Sequence, residues 1–122
     1  MGNRMKKLFV FLSLCIIAAL FISARASQWR KVRKEHLRKY PYCAFCLKTK
    51  KLSVHHIIPY AENPALELDP DNLITLCTKR YCHLMIGHFG NYKLYNPDVK
   101  AHCSRYQWER AKAKIIDGNS DT

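Results

Sequence analysis

Two short stretches decide the fold of this chain: VHHIIP at residues 54–59 and DNLITLC at residues 71–77. The first carries two adjacent histidines and ends at a proline, and the second ends at a cysteine. Short apolar runs bounded by turn residues are typical of strands, so we expect strands over residues 52–58 and 73–77. Residues 60–72 hold two Pro, two Asn and four acids, which predicts a loop. The simplest arrangement is a hairpin with a long loop.

Four cysteines frame the predicted hairpin: Cys43, Cys46, Cys77 and Cys82. Two residues separate the first pair, which precedes the first strand, and four separate the second pair, which straddles the end of the second strand. Four thiolates from two knuckles can close a structural zinc site. Disulfides are the alternative in an oxidising compartment, but a bond across the short Cys-x2-Cys ring is strained, which favours zinc. We expect Cys103 to be a half-buried free thiol.

The chain is strongly basic, with 21 Lys and Arg against 9 Asp and Glu in 122 residues and a formal net charge of +12. This length leaves room for one small domain, and an apolar content of 48% argues against disorder. The excess of positive charge favours a polyanionic partner, although a solvated face is the alternative for any charge run. The predicted phosphate-binding residues lie on a helix before the first knuckle and in both knuckles: Arg30, Lys31, Arg33, Lys34, Arg38, Lys39, Lys48, Lys50, Lys51, Lys79 and Arg80.

The N-terminal segment, residues 1–26, has the layout of a signal peptide: a basic start, an uncharged run over residues 8–22, and the small-x-small sequence Ala24-Arg25-Ala26. As a helix, that run covers about 22 Å, which is short of a hydrocarbon core of about 30 Å. The basic residues after the run would keep the domain of an uncleaved segment cytoplasmic. We therefore expect export or membrane association through residues 8–22, with the side of the membrane left open.

Three helices are expected outside the hairpin. Ser27 can cap a basic amphipathic helix over residues 27–41, which Pro41 ends. Its apolar stripe consists of Trp29, Val32, Leu37 and Tyr40. A second helical pattern covers residues 80–89, and the C-terminal extension, residues 91–122, carries a last helix that stops near Gly118.

The motifs occur in a defined order: a His-His-Ile-Ile-Pro strand, an Asp-Asn-Leu entry to the second strand, a Leu-Cys exit and a Cys-His start of a helix. In this order, over about residues 42–89, the chain resembles the HNH endonucleases of the ββα-metal superfamily, and we expect the nuclease core to cover residues 42–90. The resemblance implies a small α+β fold with a ββα-metal core, flanking helices and a structural zinc knuckle, preceded here by a hydrophobic helix. Four residues separate Cys77 from Cys82 where many relatives have two, so we expect an enlarged knuckle.

The resemblance also implies roles for individual residues. His56 would be the general base, while His55 and His83 would be metal ligands. Asn72 would brace the loop of the base or join the metal shell, and His88 would complete that shell or contact phosphate. Because neighbours on a strand point to opposite faces, the two adjacent histidines must have different partners.

The implied function is a metal-dependent endonuclease that hydrolyses phosphodiester bonds in DNA with weak sequence specificity. It would use a histidine base and one divalent cation, which could be Mg²⁺, Mn²⁺, Ni²⁺ or Zn²⁺, and RNA stays open as a substrate. A non-catalytic zinc-knuckle protein that binds nucleic acid is the first alternative, since it needs the cysteines and basic residues alone. A small membrane-tethered basic protein is the second. His36 and His102 are expected to be ordinary surface or core residues.

Overall fold

A computed structural model describes residues 2–79 and 81–118. Its main elements, in chain order, are helix α1 (Gly2–Lys39), strands β1 (Leu52–His56) and β2 (Leu73–Cys77), a π-helix (His83–Gly87) and helix α2 (Val99–Gly118). Two short 3-10 helices, Pro64–Leu66 and Pro70–Asn72, lie in the loop between the strands. This is the expected small α+β fold, with two strands and a helical segment at its centre and a long apolar helix at its N-terminus.

The two strands form an antiparallel hairpin in which Leu52 is opposite Cys77 and His56 is opposite Leu73. All five residues of β2 are buried, as expected for an apolar strand covered on both faces. The prediction for β2 is confirmed, whereas β1 ends two residues before the predicted end. The reason is that the side chain of Asn72 takes over both backbone groups of Ile58, with N···O distances of 2.8 and 2.9 Å.

The core is small and rich in cysteine. Its buried cluster combines three knuckle cysteines with side chains of the hairpin and of α2, and the fourth knuckle cysteine, Cys46, is partly buried against it. The buried members are Cys43, Ile57, Ile74, Leu76, Cys77, Cys82, Val99 and Cys103. Helix α2 is attached to the first knuckle, because the ring of Tyr106 stacks on Phe45 with centroids 3.9 Å apart. A core of this size is marginal without a further constraint, which a metal ion in the knuckles would supply.

Helix α1 is continuous over 38 residues, so Ser27 lies inside a helix and is not its cap. That prediction is wrong for a local reason: the sequence between Ile22 and Trp29 contains no Gly or Pro, and nothing there ends the preceding helix. The predicted C-terminal end is close to the observed one, because α1 ends at Lys39, two residues before Pro41. At 1.5 Å per residue the helix is about 57 Å long.

The apolar side chains of residues 8–22 lie on all sides of α1 and are exposed. By length and composition, α1 could cross a membrane, and a signal sequence near an N-terminus has the same properties. The N-terminal apolar helix is therefore a candidate signal or membrane anchor. Its C-terminal part is different, because Trp29, Val32 and Leu37 are partly buried and His36 is buried against the rest of the chain.

Candidate active site

Three histidines from two elements meet at one point. His55 comes from β1, and His83 and His88 come from the π-helix and the residue after it; each offers one ring nitrogen, and these nitrogens lie within 4.8 Å of one another. Nδ1 of His55 and Nε2 of His83 are 3.2 Å apart. His55 is 4% exposed, while the other two are partly buried. The chain thus builds a compact group of imidazoles at the edge of its hairpin, called the histidine cluster below.

The π-helix explains how His83 and His88 share this site. Residues five apart on an ordinary α-helix point about 140° away from each other, because each residue turns the chain by about 100°. A π-helix is wider and closes its hydrogen bonds over five residues, so the same spacing returns to one face. The sequence predicted an ordinary helix over residues 80–89, and the observed π-helix is confined to His83–Gly87. Arg80 lies outside the described residues.

The histidine cluster fits a divalent cation. A tetrahedral zinc ion with Zn–N bonds of about 2.0–2.1 Å places its ligands about 3.3 Å apart, close to the His55–His83 distance. Nδ1 of His88 donates to the backbone oxygen of Leu94 at 2.6 Å, which leaves its Nε2 available as a ligand. Nε2 of His55 is buried and has no hydrogen-bond partner among the described residues.

The electrostatics of the histidine cluster favour neutral rings. Burial, followed by smaller effects of the neighbouring His83, His88 and His56, lowers the pKa of His55 to about 3. Burial also lowers the pKa of His83, with a smaller effect from His88. Neutral imidazole is the form that binds metal ions, so both rings are ready for a cation at neutral pH without first losing a proton.

His56, the next residue on β1, has a separate environment. Its Nε2 lies 2.9 Å from the backbone oxygen of Glu67. Because a carbonyl oxygen can only accept, Nε2 of a neutral His56 carries the proton and donates it, and Nδ1 holds the lone pair. The side chain is partly buried, and its ring stacks on Trp29 with centroids 4.5 Å apart and an interplanar angle of 27°. The arrangement gives His56 a fixed tautomer with a proton-accepting nitrogen.

Asn72 connects the two ends of the loop between the strands. Its side-chain oxygen accepts from the backbone of Ile58, and its amide nitrogen donates to the backbone oxygens of Ile58 and Leu66 at 2.9 and 3.0 Å. The residue is 6% exposed. These three contacts connect the side chain to the segment that follows His56.

The four knuckle cysteines also meet at one point, with sulfur atoms within 4.8 Å of one another. The sulfurs of Cys46 and Cys77 are 3.5 Å apart, and no disulfide joins the knuckle cysteines in the part of the chain that the structure describes. Zinc with Zn–S bonds of about 2.3 Å would place its ligands about 3.8 Å apart, which this group fits. Burial raises the pKa of Cys46 and Cys82, so these thiols keep their protons until a cation displaces them.

The longer spacing before Cys82 does not remove it from the group, since Cys82 is 5% exposed and lies among the other three sulfurs.

Cys103 is outside the group. It was expected to be half-buried, but it is 3% exposed, because α2 packs it into the core, and burial raises its pKa to about 12. His102 is hydrogen-bonded to Asn96 at 2.8 Å.

The predicted phosphate-binding residues that the structure describes are exposed. Lys48, Lys50 and Lys79 line one shallow depression of about 370 Å³ at the Cys77 end of the hairpin. Arg38 is paired with Glu35 on the same helix at 2.6 Å, which reduces the charge it can offer to a ligand.

Two larger cavities, of about 490 and 580 Å³, are lined in part by His36 and by none of the candidate site histidines.

Several residues at the site were missed by the sequence analysis. The ring of Tyr92 contacts His88 and His83 with centroid distances of 4.9 and 5.9 Å, although the side chain is 65% exposed. Gly87 lies directly against the ring of His55. Trp29 was assigned to an apolar stripe, which explains its burial but not its contact with His56. No motif in the sequence indicates these contacts, because each joins separate elements.

Comparison with known proteins agrees with this geometry. The model of the HNH endonuclease family matches residues 42–89. No curated protein and no solved structure matches the chain. The matched segment contains both strands, the π-helix, the paired histidines and the four knuckle cysteines in the order that the sequence resemblance implied. Residues 42–89 are therefore similar to an HNH endonuclease domain.

Proposed function

We propose that this chain is a metal-dependent endonuclease that hydrolyses phosphodiester bonds in DNA. One observation carries the proposal: a buried histidine cluster suited to a cation lies beside His56, whose tautomer is fixed by the backbone oxygen of Glu67. The match of residues 42–89 to the HNH endonuclease family supports a nuclease-type function. A structural zinc ion would occupy the four knuckle cysteines, and the catalytic cation would be held by His55, His83 and His88.

The side chains divide the chemistry between them. His55, His83 and His88 would hold the cation, which would supply positive charge for the phosphoryl oxygens and the leaving 3′-oxygen. His56 accepts the proton of the attacking water at Nδ1, because Nε2 is occupied by its hydrogen bond. Asn72 holds the loop that carries the Glu67 carbonyl.

Weak sequence specificity follows from the kind of contacts available. The exposed Lys and Arg residues bind phosphates, which carry no sequence information. The candidates on α1 are Arg30, Lys31, Arg33, Lys34, Arg38 and Lys39, and those in the knuckles are Lys48, Lys50, Lys51, Lys79 and Arg80. The domain would act outside the cytoplasm or at a membrane, reached through the apolar part of α1.

The two alternatives explain less of the chain. A non-catalytic zinc-knuckle protein would use the cysteines and the lysines, but it has no use for three histidines placed around one point. A membrane-tethered basic protein would use α1 and leave the hairpin unexplained. The endonuclease accounts for both centres at once.

The cation requirement tests the proposal. The full chain in detergent, dialysed into buffer without divalent cations and checked for retention of zinc in the knuckles, is mixed with supercoiled plasmid and then with Mg²⁺, Mn²⁺, Ni²⁺ or Zn²⁺. His83→Ala removes a ligand of the histidine cluster, and His102→Ala is the matched control outside it. We expect nicking that needs an added cation, survives in the control and is abolished in His83→Ala with zinc in the knuckles unchanged. Plasmid binding without nicking under every cation, or equal nicking in EDTA, would show the proposal to be wrong, and an RNA substrate run in parallel would show whether RNA replaces DNA.

A further inference from the structure

Helix α1 contacts the candidate base, although α1 lies outside the segment that matches the HNH family. Arg25 and Trp29 are four residues apart, so they lie on the same face of α1, one turn from each other. The ring of Trp29 contacts the ring of His56, and Arg25 contacts Glu67, whose backbone oxygen is the hydrogen-bond partner of His56. The contacts are of two kinds, one to the imidazole itself and one to the residue that holds it.

Trp29 touches the imidazole directly. The stacked rings, with centroids 4.5 Å apart, restrict rotation of His56 and cover one of its faces. Stacking therefore favours one orientation of the ring before the reaction.

Arg25 acts on the residue that fixes the tautomer. Its Nε donates to both carboxylate oxygens of Glu67 at 2.9 and 2.8 Å, and a second guanidinium nitrogen lies 2.7 Å from one of them. The guanidinium also lies over the ring of Tyr60, 3.9 Å from its centroid. The backbone oxygen of Glu67 is the partner of His56 Nε2. Arg25 thus holds in place the carbonyl that sets which nitrogen of His56 accepts a proton.

We propose that Arg25 and Trp29 are positioning residues, through which α1 holds His56 in the orientation and tautomer needed for proton transfer. This inference rests on the proposed function. Arg25 lies within residues 1–26, so cleavage after Ala26 would remove one of the two contacts, and full activity requires α1 to stay attached. Trp29 is seven residues beyond Ile22, about 10 Å along the helix, so the apolar segment and the candidate base are linked rigidly.

The test uses the full chain in detergent micelles and four variants. Trp29→Ala and Arg25→Ala remove the contacts, while Trp29→Phe and Arg25→Lys keep a ring or a charge. Ser27→Ala is the control, an exposed position in the same turn. We expect the alanine variants to lower the single-turnover cleavage rate about 10- to 100-fold with an unchanged Kd for DNA, as small misplacements of a catalytic group do. Trp29→Phe should recover most of the rate and Arg25→Lys part of it.

A second readout does not depend on cleavage. The ¹⁵N chemical shifts of the His56 ring report which nitrogen carries the proton. We expect the Nε2–H tautomer in the wild-type chain and a mixture of tautomers in Arg25→Ala. If the wild-type chain cuts no DNA, the proposed function is wrong, and the shifts alone decide whether α1 positions the ring. Unchanged shifts and rates in both alanine variants, or a loss of rate matched by an equal loss of DNA affinity, would overturn the inference.

Discussion

Adjacent histidines on β1 have opposite surroundings, and this difference supports the different roles proposed for them. His55 is buried among other imidazoles, where burial holds its pKa near 3 and the ring stays neutral. His56 is partly buried and donates to a backbone oxygen. A neutral buried ring among others suits a metal ligand, and a ring with one nitrogen fixed and the other unprotonated suits a base.

Gly87 is the residue whose substitution tests the histidine cluster most locally. A Cβ atom at this position would lie 3.0 Å from Cε1 and 3.1 Å from Nε2 of His55, whose ring is buried. Gly87→Ala should therefore destabilise the fold by about 1–3 kcal/mol and weaken cation binding by displacing the ring. Calorimetric titration with Ni²⁺ measures the second effect.

The control for this change is Gly2→Ala, because a Cβ atom there meets no atom within 4 Å. It should leave the Ni²⁺ affinity unchanged. If Gly87→Ala binds Ni²⁺ as tightly as the wild type, the ring of His55 does not contribute to the cation site in the way described.

At the scale of elements, the two knuckles are expected to depend on zinc. Cys77→Ser removes one of four sulfurs that lie within 4.8 Å of one another. The variant should lose its tightly bound zinc and its Tm should fall by about 10 °C or more, because metal binding and folding of such frames are coupled. Zinc content and thermal unfolding are measured on the same sample.

Cys15→Ser is the matched control for the knuckles, since Cys15 is exposed on α1. It should keep the zinc and the Tm of the wild type. A Cys77→Ser variant that retains one equivalent of zinc would contradict the four-sulfur site.

Some elements could be predicted from the sequence, and the reasons are physical. β2 is apolar along its whole length and bounded by turn residues, so local pattern and burial agree. Ser27 was misread because a cap preference is local and nothing upstream ends α1. The π-helix could not be predicted, since an apolar helical pattern does not distinguish its geometry from that of an ordinary helix. His55, His56, Asn72 and the knuckle cysteines came from spaced motifs, whereas the contacts of Trp29 and Tyr92 are tertiary and leave no motif.

At the scale of the whole molecule, stability should decrease in acid. Burial lowers the pKa of His55 to about 3 and also lowers that of His83 and His36, while the unfolded chain keeps values near 6.5. Below pH 6.5 the unfolded chain binds more protons than the folded chain. The free energy of unfolding is therefore highest with respect to these groups above pH 6.5, and it falls as the pH drops towards 3. Each group contributes up to about 1.4 kcal/mol per pH unit.

Urea unfolding between pH 7 and pH 4 measures this dependence on protein without a cation in the histidine cluster. His55→Gln removes one of the titrating groups, so its unfolding free energy should change less steeply with pH than that of the wild type. Zinc content is followed at each pH, because loss of zinc from the knuckles also destabilises the fold in acid. Equal slopes for the two proteins would contradict the assignment of His55 as a buried neutral ring.

DNA affinity should depend on salt through the lysines that meet at the knuckles. Changing Lys48, Lys50 and Lys79 to Gln should reduce the slope of log Kd against log salt by about 2–3, since each phosphate contact contributes slightly less than one unit. The control changes three exposed basic residues of α2, namely Arg105, Lys112 and Lys114. A slope reduced equally by both triple variants would mean that the depression lined by Lys48 and Lys79 is not a specific phosphate-binding surface.

The central claim is that His56 drives hydrolysis in a domain that also binds DNA, and one paired measurement tests it. Single-turnover cleavage of a labelled duplex is measured at saturating protein for the wild type and His56→Ala, with Kd and zinc content determined on the same preparations. We expect the cleavage rate of His56→Ala to be at least about 100-fold lower than that of the wild type, as for loss of a general base. The Kd for DNA and the zinc content should be unchanged. Equal cleavage rates for the two proteins would contradict it.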